Sequence, residues 1–153
     1  METGRRAFIA ALTGAIVGAL CAPGAWAQAT ASDPTLPVAD WTAIRRTIDD
    51  QRKALKTGDA RKAFSFAAPG IRAQFGTPET FLAMVRSGYS ALIGARYVEF
   101  LEGAVIDGAV IQPLRLVAPD NSVLVALYTM EKQKDGRWRI AGCVLAPSTV
   151  QAA

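Results

Sequence analysis

The apolar residues of this chain change their spacing at Arg96, and that change restricts the possible folds more than any other feature of the sequence. Before Arg96 they recur at intervals of three and four, which lines them along single stripes of helices. After it come runs rich in Val, Ile, Leu and Tyr, divided by Asp107-Gly108, Pro119-Asp120-Asn121 and Asp135-Gly136. The second half therefore reads as four strands and three tight turns, and strands joined so closely pair antiparallel. Helices first and a meander second predict an α+β domain, with N-terminal helices packed on one face of a four-stranded antiparallel sheet.

The helical half carries its own punctuation. Asp40 is a favourable N-cap, and Trp41, Ile44, Ile48 and Leu55 follow on one stripe. Gly58 suits the left-handed close of that helix, and Asp59 suits the cap of the next, which Pro69-Gly70 is expected to stop. Gly76-Thr77-Pro78-Glu79 announces another helix, with Phe81, Met84, Val85, Gly88 and Leu92 on its inner side.

The ends of the chain speak to destination. Arg5-Arg6, an apolar stretch from Ala7 to Leu20 and the close Ala25-Trp26-Ala27 follow the order of a cleavable export signal, with the cut expected after Ala27. The stretch is shorter than the roughly 20 residues that span a bilayer, so no stable membrane span is expected after cleavage. The expected address is the periplasm or the exterior, by the twin-arginine or the general secretory route. Leu20 directly before Cys21 argues against lipidation of that cysteine. Residues 28–39, QATASDPTLPVA, read as a flexible leader, residues 40–146 as one domain and residues 147–153 as a tail. Cleavage leaves Cys143 as the one thiol, too few for an internal disulfide, so the core must hold the fold.

Composition excludes several chemistries. The chain has no histidine, which rules out Ser-His-Asp and Cys-His catalysis and any metal site that needs imidazole. It has no CxxC, Walker or GxGxxG motif, and no cofactor is expected. The 17 Lys and Arg against 13 Asp and Glu give a net charge of +4, but bases alternate with acids and no aromatic platform accompanies them, so nucleic acid is not an expected partner. A general acid or base would have to be Asp, Glu, Tyr or Lys.

Residues two apart on a strand share a face, which groups Tyr97, Glu99 and Leu101, then Val110, Gln112, Leu114 and Leu116, then Leu124, Ala126, Tyr128 and Met130. Polar groups that interrupt these rows are the site candidates: Tyr97, Gln112 and Tyr128 for ligand binding, and Glu99 with Tyr128 for proton transfer. The bland alternative points Glu99 to solvent, has Gln112 satisfying a backbone group or facing water, and puts Tyr128 in the core with its hydroxyl at the rim. On the last strand, alternation sets Arg139, Ala141, Cys143 and Leu145 against Trp138, Ile140 and Val144. Cys143 there is expected to act as a small hydrophobe, with an intermolecular disulfide and a functional thiol as alternatives.

Gly58-Asp59, Ala63-Phe64, Phe66-Ala67, Pro69, Ile71, the run FGTPETFLAMVRSGY and the closing WRIAGCVL resemble small exported bacterial proteins grouped as domain of unknown function family 4864. In helix and sheet order that family is similar to the nuclear transport factor 2-like superfamily, which implies a cone-shaped sheet wrapped round a long helix, a pocket, and a possible homodimer through the outer sheet face. Such a fold hosts many activities and selects none of them. The expected function is non-catalytic binding of a small apolar ligand or an envelope protein. The alternative is a proton-transfer enzyme of isomerase or dehydratase type using Glu99 and a tyrosine.

Overall fold

The computed structural model describes residues 35–148. The export segment with its cut and Cys21, residues 28–34 of the expected leader and residues 149–153 of the expected tail lie outside the described residues. Helices come first: α1 (Val38–Thr57), α2 (Ala60–Ser65), α3 (Pro69–Phe75), α4 (Pro78–Gly88) and α5 (Ser90–Gly94). Strands follow: β1 (Tyr97–Phe100), β2 (Ala104–Ile106), β3 (Ala109–Val117), β4 (Val123–Lys132) and β5 (Trp138–Pro147). All strand pairs are antiparallel, so the domain is α+β, as the change of period at Arg96 predicts.

Local signals act where the sequence puts them. Gly58 takes φ 73°, and Asp59 and Gly58 donate to the carbonyls of Ala54 and Leu55, which closes α1. The Asp59 carboxylate accepts from the Lys62 N–H at 3.0 Å, and the Thr77 hydroxyl accepts from the Thr80 N–H at 3.2 Å. Two boundaries differ from expectation. Pro69 opens α3 as well as ending the segment before it, because a proline at the first helical position lacks only an N–H that would have no intrahelical partner. The helix α1 starts at Val38, two residues inside the expected leader, and Asp40 is not its cap. The Asp40 side chain instead reaches the sheet, accepting from the Trp138 indole N–H at 2.9 Å and pairing with Lys132 at 3.1 Å.

The strand order is β1-β3-β4-β5, and β2 also pairs with β3. There are five strands instead of the expected four because the first expected strand breaks. Phe100 pairs with Leu114 and Ala104 with Ile111, so residues 101–103 face only Gln112 and Pro113. Pro113 has no N–H for the ladder. The Gln112 amide supplies donors in its place, to the carbonyl of Leu101 at 2.8 Å and that of Pro113 at 2.9 Å. Gly103 lies in the same break against the face of Trp41, so close that an added Cβ would overlap the ring.

A second irregularity falls in β5. Thr129 pairs with Gly142 but Met130 pairs with Ile140, so Ala141 is an extra residue. It resets the alternation: Trp138 and Ile140 join Cys143 and Leu145 on the helix-facing side, and Arg139 turns away from Cys143. The simple alternation expected for this strand is corrected accordingly. The outer edge of β5 is partly covered by residues 66–68, where Ile140 donates to Phe66 at 2.9 Å and accepts from Ala68 at 2.8 Å.

Two apolar clusters result. Ile44 and Ile48 of α1 lie on Leu114, Leu116, Ala126, Tyr128 and Ile140 of the sheet. Leu55 and Ala54 pack with Ala63, Phe81, Leu82 and Val85 among the helices, and Phe81 meets the rings of Phe64 and Phe75 at 5.5 and 5.8 Å between centroids. Leu82 belongs to this buried stripe and Gly88, expected on it, is exposed. No helix of the described residues is long and apolar enough to cross a membrane.

Two outcomes test this packing. Gly103→Ala is expected to lower stability by about 1–3 kcal/mol, the usual cost of overpacking, as read by denaturant unfolding; an unchanged midpoint would mean that Trp41 does not hold the break. The indole and Lys132 hold the Asp40 carboxyl below the usual carboxylate range. Its contribution to stability is therefore present above about pH 4 and lost as pH falls through the folded pKa. Asp40→Asn should be the less stable protein at neutral pH and converge with the parent in acid.

Candidate functional site

Where the two clusters meet, they leave a cavity of about 250 Å³. Its floor is the inner sheet face: Tyr128 from β4, with Ile140, Gly142 and Cys143 from β5. The reset at Ala141 is what brings Ile140 and Cys143 to this one floor. Gln51 and Leu55, one helical turn apart on α1, form one wall. Ile71 and Phe75 of α3 form another, with the exposed Gln74 beside them at the rim. Phe81, Met84 and Val85 of α4 close it, together with Tyr89 and Leu92. No side chain in the lining is charged.

The polar atoms around this space are few, and most are engaged. Gln51 is 4% exposed, and its amide donates to the Ala63 carbonyl at 3.2 Å. The Tyr89 hydroxyl donates to the Cys143 carbonyl at 3.0 Å, tying the start of α5 to β5. Tyr128 differs. It is 1% exposed, and its hydroxyl has no hydrogen-bond partner of ordinary geometry. Its polar neighbours are its cross-strand partner Cys143, whose thiol is a weak donor and acceptor at best, and Arg52 and Asp49 of α1, whose charges act on it. Burial pushes the Tyr128 hydroxyl well above the ordinary phenol range, so it stays protonated. Burial likewise pushes the Cys143 thiol up to about 12, with Tyr128 opposing the shift only in part. A thiol in that state is a packing group, not a nucleophile.

The candidates read from the sequence separate onto two faces. Val98 and Phe100 pair with the buried Leu116 and Leu114, so Tyr97 and Glu99 fall on the outer face of the sheet. Tyr97 is 58% exposed. The Glu99 carboxylate is paired with the Arg115 guanidinium on the adjacent strand, which raises the Arg115 pKa further. Glu99 and Tyr128 therefore lie on opposite faces and are not brought together. Gln112 is fully buried on the inner face, but its amide nitrogen holds the broken strand and its oxygen accepts from Arg45 Nε at 3.3 Å. Of the candidates, Tyr128 alone lines the cavity. Gln51 and Tyr89 were missed. Gln51 does leave a trace in the sequence, a polar residue three after Ile48 and four before Leu55 on the apolar stripe. Among the described residues, no group of three His, Cys, Asp or Glu is placed to hold a metal ion. The outer face also exposes Leu127 and Val144.

A family model for a domain of unknown function, DUF4864, matches residues 38–153. The chain belongs to this family. The match begins at the first residue of α1 and takes in every helix and strand described above, so the cavity is assembled wholly within the DUF4864 region. No curated protein matches the chain.

Two outcomes follow from the DUF4864 cavity. Tyr128→Phe removes a buried hydroxyl that has no partner, and should stabilise the empty protein by about 1 kcal/mol in thermal or denaturant unfolding; a loss of that size would reveal a bond to this hydroxyl. Cys143 should resist a thiol-directed reagent at about pH 8 in the native state and react at once in denaturant. Rapid native labelling would place the thiol in an open, ionising environment.

Proposed function

We propose that this is an exported, non-catalytic binding domain that holds a small apolar ligand between its helices and its sheet. The observation that carries the reading is the uncharged, mostly apolar cavity of about 250 Å³ that adjoins the hydrophobic core. Clefts of this kind, with a few placed polar groups, are the usual form of small-molecule sites, and this one is near the small end of their range. Two of the titratable groups in its lining, Tyr128 and Cys143, are held in their neutral forms by burial, which favours binding over acid-base chemistry. Export rests on the order of residues 1–27. The progression from helices to meander, with α1 lying on the inner sheet face, supports a nuclear transport factor 2-like reading of the fold.

Native mass spectrometry of protein purified from its own cell envelope tests the proposal. The expected result is a retained small neutral molecule that is lost from Ile71→Trp, a variant that fills the cavity from the wall where no residue is fully buried. Bare protein, together with no binding of an added hydrocarbon such as ethylbenzene, would refute it.

A further inference from the structure

The buried amide of Gln112 positions two charged residues that no ion pair uses. Its nitrogen holds the Leu101 carbonyl, one residue before Glu102 in the break between β1 and β2. With both N–H groups given to carbonyls, its oxygen is left to α1, where it accepts from Arg45 Nε at 3.3 Å. The Arg45 guanidinium also lies over the Phe100 ring, 5.9 Å from its centroid. An exposed arginine is thus fixed by a side chain that is itself fully buried. The terminal nitrogens of Arg45 take no hydrogen bond or ion pair among the described residues, and the Glu102 carboxylate takes none either.

Both charges line a groove of about 320 Å³ that shares no residue with the cavity described above. Trp41, packed on Gly103, gives it an apolar wall together with Val38 and Val105. Elsewhere on this surface a guanidinium near a carboxylate pairs with it, as Arg46 does with Asp50 and Arg115 with Glu99. Arg45 and Glu102 line one groove and do not pair with each other.

We infer that this groove binds a small zwitterion, an amino acid with an apolar side chain, whose carboxylate meets the Arg45 guanidinium and whose ammonium meets Glu102. The planar fork of a guanidinium matches a carboxylate, and its Nε is already spent on Gln112, which fixes the direction in which the two terminal nitrogens are offered. A simple carboxylic acid would also meet the like charge of Glu102, and a simple amine that of Arg45. A molecule carrying both charges finds an opposite partner for each, so the same two residues attract it and disfavour its singly charged analogues. The apolar side chain then lies on the wall that Trp41 and Val105 form.

The test titrates protein purified from its cell envelope with three molecules of one shape: phenylalanine, 3-phenylpropanoate, which lacks the ammonium, and 2-phenylethylamine, which lacks the carboxylate. Backbone amide NMR at low salt follows the binding, because screening weakens exposed pairs. Phenylalanine should bind about fivefold more tightly than either analogue, the upper end of what one exposed ion pair gives, with saturable shifts at Trp41, Glu102 and Val105. That comparison needs no variant. In Arg45→Gln phenylalanine should lose its advantage over 2-phenylethylamine, and in Glu102→Gln its advantage over 3-phenylpropanoate. Equal affinities of the three, advantages that survive both substitutions, shifts confined to the cavity residues Tyr89 and Tyr128, or no saturable shift at all overturns the inference. Each of these leaves the binding proposed for the cavity standing, since ethylbenzene reads that site separately.

Discussion

Ala141 is the extra residue of β5, and its insertion between the Thr129 and Met130 pairings places Trp138, Ile140 and Cys143 on one side of the sheet. Much of the interior depends on that slip. A regular strand would hold Trp138 and Ile140 opposite Cys143, since neighbouring faces exchange with each residue. With the slip, the same strand meets α1 through Trp138 and Asp40, meets residues 66–68 through its edge at Ile140, and gives the cavity its floor at Cys143. One inserted residue thus couples the anchoring of the first helix to the shape of the space beneath it.

Elsewhere the chain repairs its irregularities with its own side chains. The break between β1 and β2 frees the Leu101 carbonyl, and the Gln112 amide takes it together with the Pro113 carbonyl, which also accepts from the Leu101 N–H. The indole N–H of Trp138 is answered by Asp40. Two buried side-chain polar atoms among the described residues have no hydrogen-bond partner of ordinary geometry, the Tyr128 hydroxyl and Arg52 Nε.

Much of the architecture was legible in the sequence. The switch of period at Arg96, Gly58, Asp59 and Thr77 each state a local preference that tertiary packing leaves unchanged. The misread places are those where a long-range contact overrides a local signal. Asp40 looks like a cap because capping is judged from neighbours along the chain, whereas its partners Trp138 and Lys132 lie far along the sequence. The β5 alternation and the division of the first strand were hidden for a related reason, since a bulge is a property of two strands and cannot be read from one. For the site, the burial of Tyr128 and Gln112 followed from alternation, but their different fates did not. Only the positions of Pro113 and the Leu101 carbonyl show that Gln112 is occupied. Alternation leaves Glu99 with an inward and a solvent-facing reading, and Val98 and Phe100, the pair that meets the core, decide for the outer face.

The central claim is that small apolar molecules enter the space between the helices and the inner sheet face, and neither bind the outer face nor enter the second groove that Trp41, Arg45, Glu102 and Val105 line. Backbone amide NMR during titration with ethylbenzene tests this most directly. The expected shifts cluster at Ile71, Phe81, Tyr89, Tyr128 and Cys143 and saturate together. Shifts confined to Leu127 and Val144 on the outer strands, or to Trp41 and Val105, would contradict it.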